Sequence, residues 1–287
     1  MEIITEITEI RNKLKQERQQ QKTIGFVPTM GFLHQGHLAL IRQAVADNDL
    51  TVVSIFVNPT QFAPEEDFEE YPRDLERDAR LAEKEGVDYI FSPAVEEMYC
   101  PAHNSFVEVE ELTDKLCGRT RRGHFRGVTT VVTKLFNIIK PHAAYFGQKD
   151  YQQLVVIKRM VRDLNFPVKI KSVPIVREED GLALSSRNKY LSEEGRKTAA
   201  VLYKALQKAR KMICDGERDS NKVIKKVRKL IGNRELTEIE YINIVDPETL
   251  QDIEQIDSDV VIALAVYVKE TRLIDNIIVR EEEWRHV

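Results

Sequence analysis

Two of the six histidines in this 287-residue chain, His34 and His37, stand three positions apart in the run Pro28-Thr29-Met30-Gly31-Phe32-Leu33-His34-Gln35-Gly36-His37. Imidazoles at that spacing share one side of a helical turn and can donate hydrogen bonds to phosphate oxygens. Gly31 and Gly36 let the backbone turn tightly and come close to a ligand. The run follows a strand-like segment, Ile24 to Pro28, and leads into a helical apolar pattern from about His37 (Leu38, Leu40, Ile41, Val45). Between a strand and a helix, free N–H groups and the positive end of the helix dipole suit an anion. The same pair also suits a purely structural contact or two metal ligands, but no Cys or His cluster supplies the further ligands a metal needs.

Three more segments carry chemistry. Gly147-Gln148-Lys149-Asp150 repeats the strand–turn–helix setting, with a lysine able to neutralise phosphate charge and an acid able to cap a helix or bind a hydroxyl. Gly181-Leu182-Ala183-Leu184-Ser185-Ser186-Arg187-Asn188 places two hydroxyls beside an arginine, a compact donor set for an anion. Alone that triplet is common in surface loops; beside the other two it completes the several donors a triphosphate requires. Val57-Asn58-Pro59-Thr60-Gln61-Phe62 offers amides that fix a polar substrate without adding charge, with Phe62 and Met30 as apolar walls. Gln152 and Gln153 follow a similar logic on the helix after Asp150.

The elements that must position these segments are legible as patterns. Met1 to Arg18 reads as an amphipathic helix, and strands are expected at Ile24–Pro28, Leu50–Val57 and Tyr89–Phe91, alternating with helices at His37–Ala46 and Leu75–Glu85. Helix Val128–Ile139, strand Ala143–Phe146, helix Tyr151–Leu164 and strand Val168–Val176 repeat the alternation. That order predicts an α/β fold, a Rossmann-like doubly wound parallel sheet, with ligands at the carboxyl ends of its strands. Two lysine-rich helices (Glu193–Cys214, Ser220–Ile231) then precede three strand runs, Glu238–Val245, Val260–Val268 and Leu273–Val279. Helices followed by consecutive strands predict a smaller α+β domain with an antiparallel sheet, so residues 1–184 and 185–287 are expected as two domains.

Taken in order, PTMGFLHQGH, VNPTQF, HFRGVTTVVTKLF, YFGQKDYQQL and LALSSRNKYLS resemble the pantoate–β-alanine ligase (pantothenate synthetase) family over residues 28 to about 192. The first stretch alone points to the wider nucleotidyltransferase-type group with a His-x-Gly-His motif. The resemblance implies that ATP activates pantoate as an acyl adenylate, releasing pyrophosphate, and that the amine of β-alanine then displaces AMP. It implies ATP binding by Met30, Gly31, Phe32, Leu33, His34, Gln35, Gly36 and His37, with His37 a proton donor to the phosphate chain. Gly147, Gln148, Lys149 and Asp150 would contact the nucleotide, joined by the backbone of Val176; Leu184, Ser185, Ser186 and Arg187 would bind its phosphates. His37 and Lys149 are the expected catalytic pair, Gln61 would hold pantoate beside the β-alanine position, and Gln153 would hold pantoate from the other side. At position 148 the family more often has Glu, so a side-chain role for Gln148 is the weakest of these assignments. The resemblance also implies a homodimer. Mg²⁺ held mainly by the phosphate oxygens is expected from its preference for such ligands and water. A hinged second domain closing over the site is expected from the need to shield the adenylate.

Composition bounds the alternatives. A formal net charge of -4 gives no electrostatic case for nucleic acid as the main partner. Three cysteines without CxxC spacing argue against a disulfide framework and for a reducing, cytoplasmic setting. No stretch reaches the roughly 18 to 20 apolar residues of a membrane span. Two rivals stand: another His-x-Gly-His nucleotidyltransferase, and a non-catalytic nucleotide- or RNA-binding module resting on Arg119, Arg121, Arg122 and Arg126 near His124. A simpler reading of that arginine-rich loop is a wall of the substrate channel.

Overall fold

Strand β1 (Glu2–Ile4) precedes helix α1 (Ile7–Gln19), where the pattern had suggested a single helix from the first residue. Three residues are too few to show a period, and β1 exists because it pairs in parallel with a distant strand, Ile4 opposite Phe91. The alternation then runs β2 (Ile24–Thr29), α2 (Gln35–Asp47), β3 (Leu50–Ile55), α3 (Leu75–Lys84), β4 (Tyr89–Phe91), the short α4 (Val95–Met98), α5 (His124–Ile139), β5 (Ala143–Gly147), α6 (Tyr151–Asp163) and β6 (Lys169–Val173). Next come α7 (Glu193–Ala199), α8 (Val201–Cys214), α9 (Ser220–Gly232), β7 (Thr237–Val245), β8 (Val260–Val268) and β9 (Thr271–Val279). The expected helix over 193–214 is two helices that abut at Ala200. This computed structural model describes residues 1–63, 68–232 and 236–285.

Two compact units result. One comprises Met1–Thr113, Arg121–Gln148 and Val156–Pro174; the other comprises Asp114–Thr120, Lys149–Val155 and Ile175–Val287. The first holds a six-stranded sheet in the order β1-β4-β3-β2-β5-β6, with every pairing parallel. The second holds the antiparallel sheet β7-β8-β9. Both sheets match the fold class expected from the sequence.

In the first unit the central strand β2 is buried on both faces, so its side chains are apolar without alternation. Val27 joins Leu38, Ile41 and Ala44 of α2 and Ala79 and Ala82 of α3 on one face. Phe26, next along the strand, points the other way and meets Phe136 of α5 edge-on at 6.4 Å. Burying such side chains contributes about 1.5–3 kcal/mol each. The register sets Gly25 opposite Ala143 and Phe26 opposite Ala144, so β2 and β5 end at the same level. The chain winds outward in one direction from β2 through β3 and in the other from β5 to β6. Between β2 and β5, therefore, lies the crevice where such sheets bind ligands.

Helix α5 starts at His124, earlier than its apolar pattern, and its first turn carries Gly127 against the Pro59–Gln61 turn. A Cβ on Gly127 would lie 2.3 Å from the Thr60 carbonyl oxygen and 2.6 Å from Gln61 Cα. Both are backbone atoms that cannot swing aside. Gly127→Ala is therefore expected to destabilise the protein by about 1–3 kcal/mol. Thermal unfolding checks this, and an unchanged midpoint would show that the turn can shift.

Candidate active site

The chain leaves β2 through Thr29, whose hydroxyl donates to the Ser54 carbonyl at 2.7 Å and accepts from Gly31 N at 3.1 Å. Gly31 then takes φ +84°, and a side chain there would press on Ile55 and Asp78. Phe32 is also left-handed, at φ 51°, a costly conformation for a non-glycine residue. What holds it is Asp78 of α3. The two oxygens of that carboxylate accept Phe32 N at 2.6 Å and Leu33 N at 2.7 Å. Arg77 beside it donates to the Leu33 carbonyl at 2.8 Å and lies over the Phe32 ring at 5.0 Å. Asp78 is 1 % exposed; burial pushes its carboxyl above the ordinary value, and the Leu33 and Phe32 amides pull it back down.

The loop delivers His34 to the N-cap of α2. Helix α2 thus begins at Gln35, not at His37 as the apolar pattern suggested. His34 Nδ1 accepts Gly36 N at 3.1 Å, and His37 Nδ1 accepts His34 N at 3.3 Å. The rings lie 4.0 Å apart at 34°. With each Nδ1 occupied by a backbone N–H, a neutral ring carries its proton on Nε2 and donates from there. Gln35 is turned along the helix surface, its Oε1 accepting from Arg42. Leu33 is fully buried in the core, so its side chain serves packing.

Beyond β3, Asn58 organises the second segment. It is 1 % exposed and donates to Gln61 Oε1 and to the Gly127 carbonyl, both at 3.1 Å. Its own Oδ1 accepts from Thr60 Oγ1 and from Tyr99 OH. Burial raises the Tyr99 hydroxyl above its ordinary pKa, which keeps it a donor. Gln61, so oriented, directs Nε2 to the Met30 sulfur at 3.1 Å. The structure thus brings Met30 and Gln61 together across β2 and β3. His124 Nδ1 lies 2.8 Å from the Gln61 carbonyl oxygen, and Arg121 Nη1 lies 3.1 Å from His124 Nε2. Arg126 stacks on Phe106 at 3.8 Å. Part of the arginine-rich loop therefore abuts the Gln61 backbone.

Gly147 ends β5, and Gln148–Asp150 forms one 3-10 turn ahead of α6. In the second unit, Lys149 Nζ stands 3.9 Å from Asp150 Oδ1. Of the two glutamines on α6, Gln152 is buried, accepting Cys117 N at 3.1 Å and donating to the Lys115 carbonyl at 2.7 Å. Its amide is spent on holding that turn, while Gln153 beside it is half-buried. Val176 and Leu184 face each other across a hairpin, Leu184 N donating to Val176 O at 3.0 Å. Ser185 caps the following turn by accepting Arg187 N at 3.3 Å, which fixes Ser186 and Arg187 in a 3-10 turn, 186–190.

A model of the family described as pantoate-beta-alanine ligase matches residues 2–278. The chain belongs to that family. It is 56 % identical to the pantothenate synthetase of Thermotoga neapolitana, over 97 % of this chain and 99 % of the relative. Among solved structures it resembles the pantothenate synthetase of Thermus thermophilus (TM-score 0.93, 47 % identity, 98 % and 100 % of the two chains covered). It also resembles the pantoate-beta-alanine ligase of Francisella tularensis, solved with β,γ-ATP and β-alanine (TM-score 0.79, 34 % identity, 97 % of each chain).

Asp78 and Arg77, which hold this loop, are not among the residues that type and spacing singled out. A signal was present: on the buried face of α3, Asp78 takes a place beside Ala79 and Ala82 where an apolar residue belongs. Asp78→Ala would leave the Phe32 and Leu33 amides without acceptors, an expected cost of about 3 kcal/mol. Urea unfolding measures it; a change below about 1 kcal/mol would mean that the loop holds its shape without the clamp.

Proposed function

We propose that this ligase joins pantoate to β-alanine in two steps at the loops just described. In the first, a pantoate carboxylate oxygen bonds to the α-phosphorus of ATP, the bond to the bridging β-phosphate oxygen breaks, and pyrophosphate leaves. In the second, the β-alanine amine attacks the acyl carbon, loses a proton, and AMP departs with the acyl–oxygen bond pair. The observation that carries the reading is the histidine pair. Both imidazoles accept a backbone amide at Nδ1 in the first turn of α2, beside the crevice between β2 and β5, so a neutral ring has its N–H on Nε2.

Carboxylate attack on a triphosphate brings anions together, and oriented N–H donors offset that repulsion without reorganising. His37 donates from Nε2 to the phosphate chain, and the Lys149 ammonium balances charge on the leaving pyrophosphate. Met30, Gly31, Phe32, Leu33, His34, Gln35 and Gly36 cradle the nucleotide. Since the amides of Phe32 and Leu33 are already given to Asp78, those two shape the cradle and leave the donating to the α2 terminus. Gly147, Gln148 and Asp150 contact the nucleotide, as does Val176 through its backbone, while Leu184, Ser185, Ser186 and Arg187 bind phosphate. Gln61 holds pantoate next to β-alanine and Gln153 holds pantoate. The substitution of Gln for the usual Glu at 148 is tolerated if that contact runs through the backbone.

Among the described residues no group of three or more His, Cys, Asp or Glu could hold a metal ion. Both oxygens of Asp78, the buried carboxylate at the loop, already face amides. The donor set fits Mg²⁺ that arrives on the ATP phosphates with its water, where it would supply charge neutralisation. A cytoplasmic homodimer, with residues 185–287 acting as a lid that shields the adenylate from water, completes the proposal. No helix among the described residues is long and apolar enough to cross a membrane.

ATP–pyrophosphate exchange tests the chemistry. Exchange that needs pantoate and proceeds without β-alanine is the expected result; AMP formation seen only with a different acid would defeat the substrate assignment. His37→Ala and Lys149→Ala are each expected to lower turnover at least about 10²-fold, as groups acting on developing charge do. Near-normal turnover in either variant would remove that residue from the mechanism.

A further inference from the structure

Two adjacent residues of β9, Asp275 and Asn276, are 3 % and 2 % exposed, in the middle of a strand otherwise built largely from apolar residues. Polar side chains so deep in a sheet are costly unless every group finds a partner. Neighbours along a strand face opposite sides. Asp275 stands opposite Leu264, on the face that packs against α8 and α9, while Asn276 stands opposite Ala263 on the other face. On the first face Arg177 grips the Asp275 carboxylate with both terminal nitrogens, at 2.7 and 2.9 Å. The same guanidinium donates to the Gly181 carbonyl at 3.0 Å and lies on the Tyr203 ring at 3.9 Å. Arg177 thereby fixes the hairpin in which it bridges Ala183 and in which Leu184 meets Val176. On the second face Asn276 Nδ2 donates to the Lys149 carbonyl oxygen at 3.0 Å.

We infer that Asp275-Asn276 is a positioning pair, one dipeptide that sets the backbone of Lys149 through Asn276 and the Leu184–Arg187 segment through Asp275 and Arg177. A lysine stem is long and flexible, so the place of its ammonium depends first on where its backbone is held. Here that backbone sits in a single 3-10 turn, and a strand side chain supplies the restraint. The ordering matters for chemistry because a displacement of about 1 Å at a reacting group can cost roughly 10²-fold in rate. This inference rests on the role proposed above for Lys149.

The test is a double-mutant cycle read by pantoate-dependent ATP–pyrophosphate exchange, below the unfolding midpoint of every variant. Asn276→Ala and Asn276→Asp, the latter matched in size but without the donor, are each expected to lower kcat about 10-fold or more while KM for pantoate stays within about 2-fold. Asn276→Ser, which restores a short donor, recovers part of that loss. In a Lys149→Ala background, Asn276→Ala adds nothing further, since its effect runs through that lysine. A fully additive loss in the double variant, or normal kcat in Asn276→Asp, overturns the inference. Should Asn276→Ala fail to fold, Asn276→Asp takes its place in the cycle and is judged by the same outcomes. Wild-type protein without pantoate-dependent exchange would overturn the proposed function itself, a result distinct from an active wild type whose Asn276 variants are unimpaired.

Discussion

A parallel sheet that is wound outward in two directions must have one pair of neighbouring strands whose crossovers depart to opposite sides. Here the pair is β2 and β5. The loops that leave them are drawn apart, and the crevice between is left for a ligand. The glycine–histidine loop, the first turn of α2 and the Gly147 end of β5 share that edge because of the winding, whatever their chemistry. The helix then contributes a physical necessity of its own: its first amides have no intrahelical acceptor. His34 accepts one of them, and the amide of His34 is taken by His37. The two rings proposed to meet phosphate thus also serve the helix terminus, and each Nδ1 contact settles what the opposite nitrogen can do.

Loops that carry chemistry bury little apolar surface, so something else must hold them. In both units the answer is a buried polar side chain on a regular element. Asp78 on α3 holds Phe32 and Leu33; Asn276 on β9 holds Lys149; Gln152 on α6 holds the turn at Lys115 and Cys117. Asn58, in the turn after β3, ties Gln61 to the first turn of α5. One such hydrogen bond adds only about 0.5–1.5 kcal/mol, but leaving a buried partner unmet costs about 1–3 kcal/mol. The asymmetry makes these residues specify a geometry more than they add stability. It also explains the strained φ at Phe32: the carboxylate that accepts its amide compensates the conformational cost.

The donors proposed for the nucleotide are backbone amides, imidazoles, a lysine and an arginine, while the buried carboxylate of Asp78 is turned to the protein's own backbone. That arrangement suits a reaction in which two anions must approach and a third must leave. A family whose members include a ligase solved with β,γ-ATP and β-alanine is the context in which those donors make chemical sense.

Much of this was legible in the residues. The strand–turn–helix setting of residues 24–46, the repeat of that setting at 143–163 and the helix-then-strand order after residue 190 follow from hydrophobic period, which is local. Gly31 announced a left-handed turn because only glycine adopts one at no steric cost. Histidine and lysine at the strand ends pointed to anion chemistry, the reading on which the proposed function rests. What tertiary structure alone decided lies in pairing over long separations. Strand β1 forms only against β4, the separation of α7 from α8 falls within a continuous helical pattern, and the burial of Gln152 depends on its meeting Cys117. Asp78 and Asn276 belong to the same class. Each is an ordinary polar residue in its own element, 46 and 127 positions from the amide and carbonyl it holds, and no local pattern encodes a partner that distant.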